Sequence, residues 1–146
     1  MAAPQNIIAI VYDYDQTLSH RYMQDDVLFP QFGIDPKQFW QNCNRLVSER
    51  EWDGELAYMK CLLDYLAMDQ VTNEQLMGLG SNLSFFPGIP EIFELLPQLV
   101  ITPEHEAAGV RMEHYIVSSG LKALLDGSRL QPHVKAIFGC EFGEDE

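Results

Sequence analysis

Basic residues are scarce in this sequence. Its 146 residues include 9 Lys and Arg against 22 Asp and Glu, which gives a formal net charge of -13. A protein that binds nucleic acid or an anionic membrane needs a basic surface to meet the phosphate groups. We therefore expect neither nucleic acid nor a membrane among the partners. A small phosphorylated ligand remains compatible with this charge, because a bound divalent cation can make a local site electropositive.

Cysteine is also scarce, and long apolar runs are absent. Cys43, Cys61 and Cys140 are odd in number and form no C-x-x-C pair, which excludes a disulfide framework and predicts reduced, mostly buried thiols without a zinc site. The start "MAAPQN" has no signal-peptide pattern, and no apolar run approaches the roughly 20 residues of a membrane span. We expect a cytoplasmic protein with enough chain for one domain.

Three apolar segments have the composition of β-strands. Residues 6–12 are rich in Ile and Val without alternation, which predicts a strand covered on both faces at the centre of a parallel sheet. The second segment, residues 113–120, should leave its strand near Val117, before Ser-Ser-Gly. A short helix that stops at Gly127 should follow it. Residues 134–139 predict a third, weaker strand.

Three helices are predicted between the first two strands. One has Asp35 as its N-cap and Pro36 as its first residue, and a second begins after Asp53. A third begins after Thr72, whose capping box Gln75 completes. The second helix should bury one apolar face, made up of Leu56, Met59, Leu63 and Leu66. Because a parallel crossover needs only about a dozen residues, this insertion of about sixty predicts a helical subdomain above the first strand.

After the insertion, the chain should return to the sheet. A turn at Pro87 and Gly88 leads into a helix that Pro97 should kink or end. The predicted order is therefore strand, helical insertion, helix, strand, helix, strand. Such an order is typical of an α/β protein with a parallel sheet.

Polar side chains follow the first two strands where each strand ends. In open parallel sheets ligands bind beyond the carboxyl ends of the strands, so these residues should share a site. They are Asp13, Asp15 and Thr17 after the first strand, and Ser118, Ser119 and Gly120 after the second. Two close carboxylates need a metal ion such as Mg²⁺ between them, or one must stay protonated for acid work. A hydroxyl with free N–H groups before a helix suits phosphate, and the set predicts phosphoryl transfer through an aspartate nucleophile.

These motifs resemble those of the haloacid dehalogenase-like superfamily. "DYDQT" is similar to its first motif, D-x-D-x-T, and "YIVSSG" to its second, a Ser or Thr that ends an apolar strand. "FFPGIPEIFELL" looks like the segment after the helical cap of phosphoserine-phosphatase-like members. The resemblance implies a three-layer Rossmann-like core formed by residues 1–18 and 85–146. Its parallel sheet would be incomplete at the C-terminal side, and residues 19–84 would be an inserted helical cap.

The resemblance also implies a Mg²⁺-dependent phosphatase acting on a small phosphomonoester, with named roles. Asp13 would be the nucleophile that forms an aspartyl-phosphate and a ligand of Mg²⁺. Asp15 would be the general acid and base, with its backbone carbonyl as a further metal ligand. Phosphate binding would fall to Thr17, Ser118, Ser119 and Gly120. Other candidate phosphate contacts, each better explained as a surface residue, are Arg21, Arg45 and Arg50.

Two elements of that family have no counterpart here. Its third motif is a lysine, yet only Lys122 and Lys135 follow Ser118, and neither fits. Its fourth is an acidic pair after an apolar strand, and no such strand precedes the acidic end, Glu144 to Glu146. Without that strand residues 7–11 would be an exposed sheet edge. We therefore expect either a truncated product or a chain whose edge is covered by a second copy or a partner.

Other interpretations of the same residues remain. Asp13 and Asp15 could form a solvated turn, and Ser118 and Ser119 could simply cap a helix. The chain could be a catalytically incomplete protein that acts as a binding or regulatory module. A phospho-acceptor signalling domain also uses an aspartate at a strand end, but the large insertion and the second carboxylate disfavour it.

Overall fold

A parallel sheet with α-helices, a π-helical turn and two 3-10 turns (Gly80–Asn82 and Gln131–His133) makes up the described part of the fold. The computed structural model describes residues 5–143, so the acidic end, Glu144 to Glu146, lies outside the described residues. The strands are β1 (Ile7–Tyr12), β2 (Arg111–Leu121) and β3 (Ala136–Cys140), paired in parallel in the order β1-β2-β3. The helices are a π-helical turn (Gln24–Leu28), α1 (Phe29–Phe32), α2 (Pro36–Arg50), α3 (Gly54–Met68), α4 (Asn73–Leu79), α5 (Ile92–Val100), α6 (Pro103–Ala107) and α7 (Lys122–Asp126). The predicted α/β class with a parallel sheet is confirmed.

The predicted helix starts are confirmed by their capping hydrogen bonds. Asp35 Oδ1 accepts from the N–H of Gln38 at 2.7 Å, and Asp53 caps α3 in the same way. Thr72 and Gln75 form the expected reciprocal capping box at α4. Such caps satisfy N–H groups that the first helical turn leaves without partners. None of the helices within residues 5–143 combines the length and apolar character that crossing a membrane requires.

The predicted buried face of α3 is wrong. Leu56 is 63% exposed and Leu63 is 42% exposed. The residues that α3 buries are Ala57, Tyr58, Cys61, Leu62 and Leu66. Apolar residues occur on nearly every side of this helix, so periodicity alone does not select a face. The helix α3 packs against α2 and against residues 118–120 of β2, and these contacts select the face that it buries.

Two predicted boundaries also differ from the structure. The helix α5 continues past Pro97 to Val100, and the N–H of Ile101 donates to the Pro97 carbonyl at 2.9 Å. Proline lacks its own donor but still accepts, so the next turn forms. The strand β2 does not end near Val117 either. Its pairing with β3 is interrupted after Val117 and resumes at Leu121, so Ser-Ser-Gly forms an irregularity within the strand.

Helices cover one face of the sheet. Tyr12, Ile116 and Ile137 lie side by side on that face, and Ile116 is fully buried. Phe93 of α5 packs edge-on against Tyr12, with ring centroids 5.3 Å apart. Aromatic and branched side chains on this face therefore form the part of the core that supports the strand ends.

The opposite face is open within residues 5–143. Val11 is 60% exposed, Val117 48% and Phe138 56%, and β1 is an edge strand of the described sheet. The prediction that residues 6–12 form a central strand covered on both faces is therefore wrong, whereas the predicted exposed edge is confirmed. The described residues form two of the three expected layers, because the helices after β1 and β2 pack on one side only.

The two ends of the long insertion are hydrogen-bonded to each other, and its helices pack in two separate places. Asp26 accepts hydrogen bonds from the N–H and hydroxyl of Ser84, which ties the two ends of the insertion together. Its two long helices, α2 and α3, pack around an aromatic cluster centred on Phe39. In contrast, α4 packs on α7, where Gly80 and Gly127 let the backbones approach closely. The division into residues 1–18 and 85–146 against 19–84 stays a prediction.

Candidate active site

The loop after β1 presents its two carboxylates in different environments. Asp13 is exposed and accepts a hydrogen bond from Thr17 Oγ1 at 2.9 Å. Asp15 is partly buried and accepts from the N–H of Met23 at 2.8 Å. Gln16 adopts a left-handed backbone conformation (φ 62°) between them and Thr17. The loop therefore holds one carboxylate open to solvent and one against the protein.

The irregular end of β2, residues 118–121, contacts Met23, whose backbone binds the loop after β1. The N–H of Leu121 donates to Met23 Sδ at 3.0 Å, and a Cβ on Gly120 would lie 2.3 Å from Met23 Cε. Ser118 is buried, and its Oγ accepts from the N–H of Gly120 at 3.0 Å. The backbone of Met23 thus positions Asp15, and its side chain packs on the irregular end of β2.

A cavity of about 580 Å³ opens at the carboxyl ends of β1 and β2. It brings together three of the predicted site residues, Asp13, Asp15 and Ser119. Thr17 is not among the lining residues, but its hydroxyl donates a hydrogen bond to Asp13, which is. Ser118 and Gly120 are buried, and neither is among the lining residues. The full lining is Asp13, Asp15, Tyr22, Gln24, Asp25, Trp40, Gly54, Glu55, Tyr58 and Ser119.

The insertion supplies the outer wall of this cavity. Tyr58 of α3 donates its hydroxyl proton to the backbone carbonyl of Ser119, which joins the insertion directly to the irregular end of β2. Trp40 of α2 contributes a second aromatic ring, and Glu55 lies in the first turn of α3. The arrangement shields the strand ends from one side, as a substrate-selecting cap would.

The environment of Asp15 suits a general acid. Burial raises the pKa of its carboxyl group to about 6, the hydrogen bond from Met23 opposes that shift, and the negative charge of Asp13 adds to it. An acid whose pKa lies near the working pH can both give and take a proton. The two carboxylates therefore differ, because Asp13 is exposed whereas Asp15 is partly buried and has a raised pKa.

We predict that Asp15→Asn stabilises the metal-free chain at about pH 7.5 by about 1 kcal/mol, a figure reduced for the partial exposure of the side chain. The pKa is higher in the folded state than in the unfolded state, so stability contributed by Asp15 is lost as the pH rises through about 6. Asparagine keeps the acceptor for Met23 without the charge. Urea unfolding in EDTA should show the gain, and the gain should shrink towards about pH 5.

Asp69→Asn is the matched control, because it removes the same charge from an exposed position. An equal gain from Asp69→Asn, or a loss of stability in Asp15→Asn, would show that burial of the Asp15 charge is not the cause.

The carboxylates fit a partial Mg²⁺ site. Within residues 5–143, no group of three or more His, Cys, Asp or Glu side chains is placed to hold a metal ion. Mg²⁺, however, usually keeps several waters and binds through one or two carboxylates together with substrate phosphate oxygens. Asp13 and Asp15, which share the cavity, offer a donor set of that kind.

The structure also identifies lining residues that sequence reasoning missed. Gln24, Asp25 and Glu55 contribute to the cavity wall, although no motif marks them. The one available signal was that Glu55 follows the predicted N-cap Asp53, where a helix start faces the strand ends.

None of the candidate basic residues lines the cavity. Arg21, Arg45 and Arg50 are exposed, and Lys122 pairs instead with Asp126 at 2.6 Å. Lys135 is also exposed and absent from the lining. The described part of the chain therefore provides no cation to hold a phosphate in the cavity.

Comparison with known proteins gives one informative match. The chain is 31% identical over 147 residues to an uncharacterized protein of Borreliella burgdorferi. The alignment covers 94% of this chain but 50% of that protein, so the chain spans about half the length of the relative. No family model matches the chain, and no solved structure matches it.

Proposed function

We propose that this chain carries the nucleophile loop and the cap of a Mg²⁺-dependent, haloacid dehalogenase-like phosphatase that hydrolyses a small phosphomonoester. The observation that carries the proposal is that Asp13, Asp15 and Ser119 line one cavity at the carboxyl ends of two neighbouring parallel strands. Ligands of open parallel sheets bind at this position. The raised pKa of Asp15 supports the same assignment.

In the first step, a carboxylate oxygen of Asp13 attacks the phosphorus of the ester. An O–P bond forms to Asp13 while the bond to the leaving alcohol oxygen breaks. The protonated carboxyl group of Asp15 gives its proton to that oxygen, so a neutral alcohol departs. Asp13 and Asp15 would hold Mg²⁺, which, when bound, would supply positive charge that offsets the negative charge of the phosphate.

In the second step, water attacks the phosphorus of the aspartyl-phosphate. Asp15, now a carboxylate, takes a proton from the water, and the bond from phosphorus to Asp13 breaks. Inorganic phosphate leaves, and both carboxyl groups return to their starting states. The aromatic wall formed by Trp40 and Tyr58 would limit the entry of bulk water during the reaction.

A second candidate is a binding or regulatory module that holds a phosphorylated ligand without turnover. Two observations favour it. No lysine or arginine lines the cavity in the described part of the chain, and β1 is an open edge there. The relative is about twice as long, so further catalytic groups could come from sequence beyond this chain.

The decisive experiment compares turnover of an aryl phosphate by the 146-residue chain and by Asp13→Asn, each with Mg²⁺. We expect Asp13→Asn to lower kcat by at least about a thousandfold, since the attacking oxygen of the nucleophile is lost. Asp35→Asn is the control, because it removes the same charge at an exposed N-cap where asparagine caps equally well.

Two other outcomes have distinct meanings. Turnover that survives in Asp13→Asn would exclude Asp13 as the nucleophile. If neither protein turns the ester over, binding of inorganic phosphate with Mg²⁺ should be measured by calorimetry. Binding that depends on Asp13 would support the module, and its absence would overturn both candidates.

A further inference from the structure

The insertion contributes three aromatic side chains to the cavity wall. Tyr22 and Trp40 have ring centroids 6.4 Å apart, inclined at 56°, and Tyr58 completes the set. The faces of such rings carry partial negative charge and attract cations, with Trp the strongest. A wall of this kind suits either an apolar group or a positively charged one.

Two carboxylates beyond Asp13 and Asp15 distinguish these alternatives. Burial raises the pKa of Asp25, and the nearby charge of Arg21 and the side chain of Trp40 oppose that shift. Glu55 also lines the cavity, and its side chain is exposed. An apolar ligand would desolvate both carboxylates without compensation, whereas a cation would pair with them.

The amide of Gln24 adds to the negative potential of the wall. Its side chain is 3% exposed, and Oε1 has no hydrogen-bond partner in the described residues. The hydroxyl of Tyr58 gives its proton to the Ser119 carbonyl, so it offers no donor to Gln24 Oε1.

A carboxylate on the ligand would find no partner here. None of the lining residues is Lys or Arg, and four of them, Asp13, Asp15, Asp25 and Glu55, are acidic. An anionic group other than the phosphate would therefore face like charges in a partly desolvated cavity.

We propose, building on the proposed function, that the substrate is a phosphomonoester whose alcohol portion carries an ammonium group and no carboxylate. The phosphate lies at Asp13 and Asp15, and the ammonium group lies between the rings of Tyr22 and Trp40 with Glu55 as its counter-ion. The shape and charge of the cavity thus separate this class from phosphorylated amino acids.

Calorimetry on the 146-residue chain with Mg²⁺ tests this with three esters. They are 2-aminoethyl phosphate, the neutral analogue 2-hydroxyethyl phosphate, and phosphoserine, which adds a carboxylate. We expect 2-aminoethyl phosphate to bind about tenfold more tightly than either of the others. Where the esters are hydrolysed, the ratio of their kcat/KM values should show the same preference.

Glu55→Gln should reduce the preference for the charged ester over the neutral one from about tenfold to about twofold, a ratio from which any effect of the lost charge on the phosphate common to both esters cancels. Glu104→Gln is the control, since Glu104 is exposed in α6 and outside the cavity lining. Equal binding of the charged and neutral esters would overturn this inference and leave the proposed function standing. Binding of none of the three would overturn this inference, and the aryl phosphate assay with Asp13→Asn then decides the proposed function. A preference that Glu55→Gln leaves intact would overturn the assignment of the ammonium site.

Discussion

Replacing Gly127 with alanine is expected to destabilise the chain by about 3 kcal/mol or more. A Cβ at this position would lie 1.8 Å from the carbonyl oxygen of Met77 and 2.7 Å from its carbonyl carbon. Both are backbone atoms of α4, so neither can move aside as a flexible side chain would. The φ of Gly127 is -84°, which any residue can adopt, so the cost comes from the lost space between α4 and α7.

Gly78→Ala in α4, the helix that Gly127 contacts, is the control. A Cβ there would have no atom within 4 Å, and alanine in a helix interior is favoured over glycine by about 0.5–1 kcal/mol. Urea unfolding followed by circular dichroism should therefore show opposite changes for the two variants. Destabilisation of similar size in both would mean that helix conformation, not the contact between α4 and α7, determines the result.

Phe39→Ala is expected to destabilise the chain by about 3–5 kcal/mol, the usual cost of removing a buried aromatic side chain. Phe39 is fully buried, and its ring centroid lies 4.8 Å from that of Phe29 and 5.0 Å from that of Trp40. Because Trp40 lines the cavity, the void should also loosen the wall next to Asp25. Near-ultraviolet circular dichroism and urea unfolding would measure both effects.

The control for Phe39→Ala is Gln41→Ala, an exposed position in the same helix. Its effect should stay within about 0.5 kcal/mol. If Phe39→Ala unfolds at the same urea concentration as the unaltered chain, the aromatic cluster does not stabilise the insertion. If stability falls but binding of 2-aminoethyl phosphate at low temperature is unchanged, Trp40 keeps its place without Phe39.

Helix starts and the end of β1 could be predicted from the sequence because they depend on nearby residues. Asp35 caps α2 through a hydrogen bond to Gln38, three residues away, and Thr72 and Gln75 cap α4 over the same distance. The carboxylates after β1 follow an apolar strand directly. Their shared cavity with Ser119 follows from parallel pairing of β1 and β2.

The faces of these elements could not be predicted, because a face is selected by what packs against it. Leu56 and Leu63 are apolar and exposed, whereas Tyr58 is buried because its hydroxyl reaches the Ser119 carbonyl from another part of the chain. The apolar composition of β1 likewise did not reveal that its Val11 face is uncovered in the described residues.

The sequence by itself determined which polar side chains follow β1, since hydrogen bonds within a few residues and the direction of the chain suffice for that. Only the tertiary structure decided which side chains surround that chemistry. Gln24, Asp25 and Glu55 come to the cavity from separate helical segments, and Ser118 turns its hydroxyl to Gly120 while Ser119 lines the wall. Packing between segments that are distant in sequence selects these neighbours, and no local sequence pattern gives the free energy of that packing.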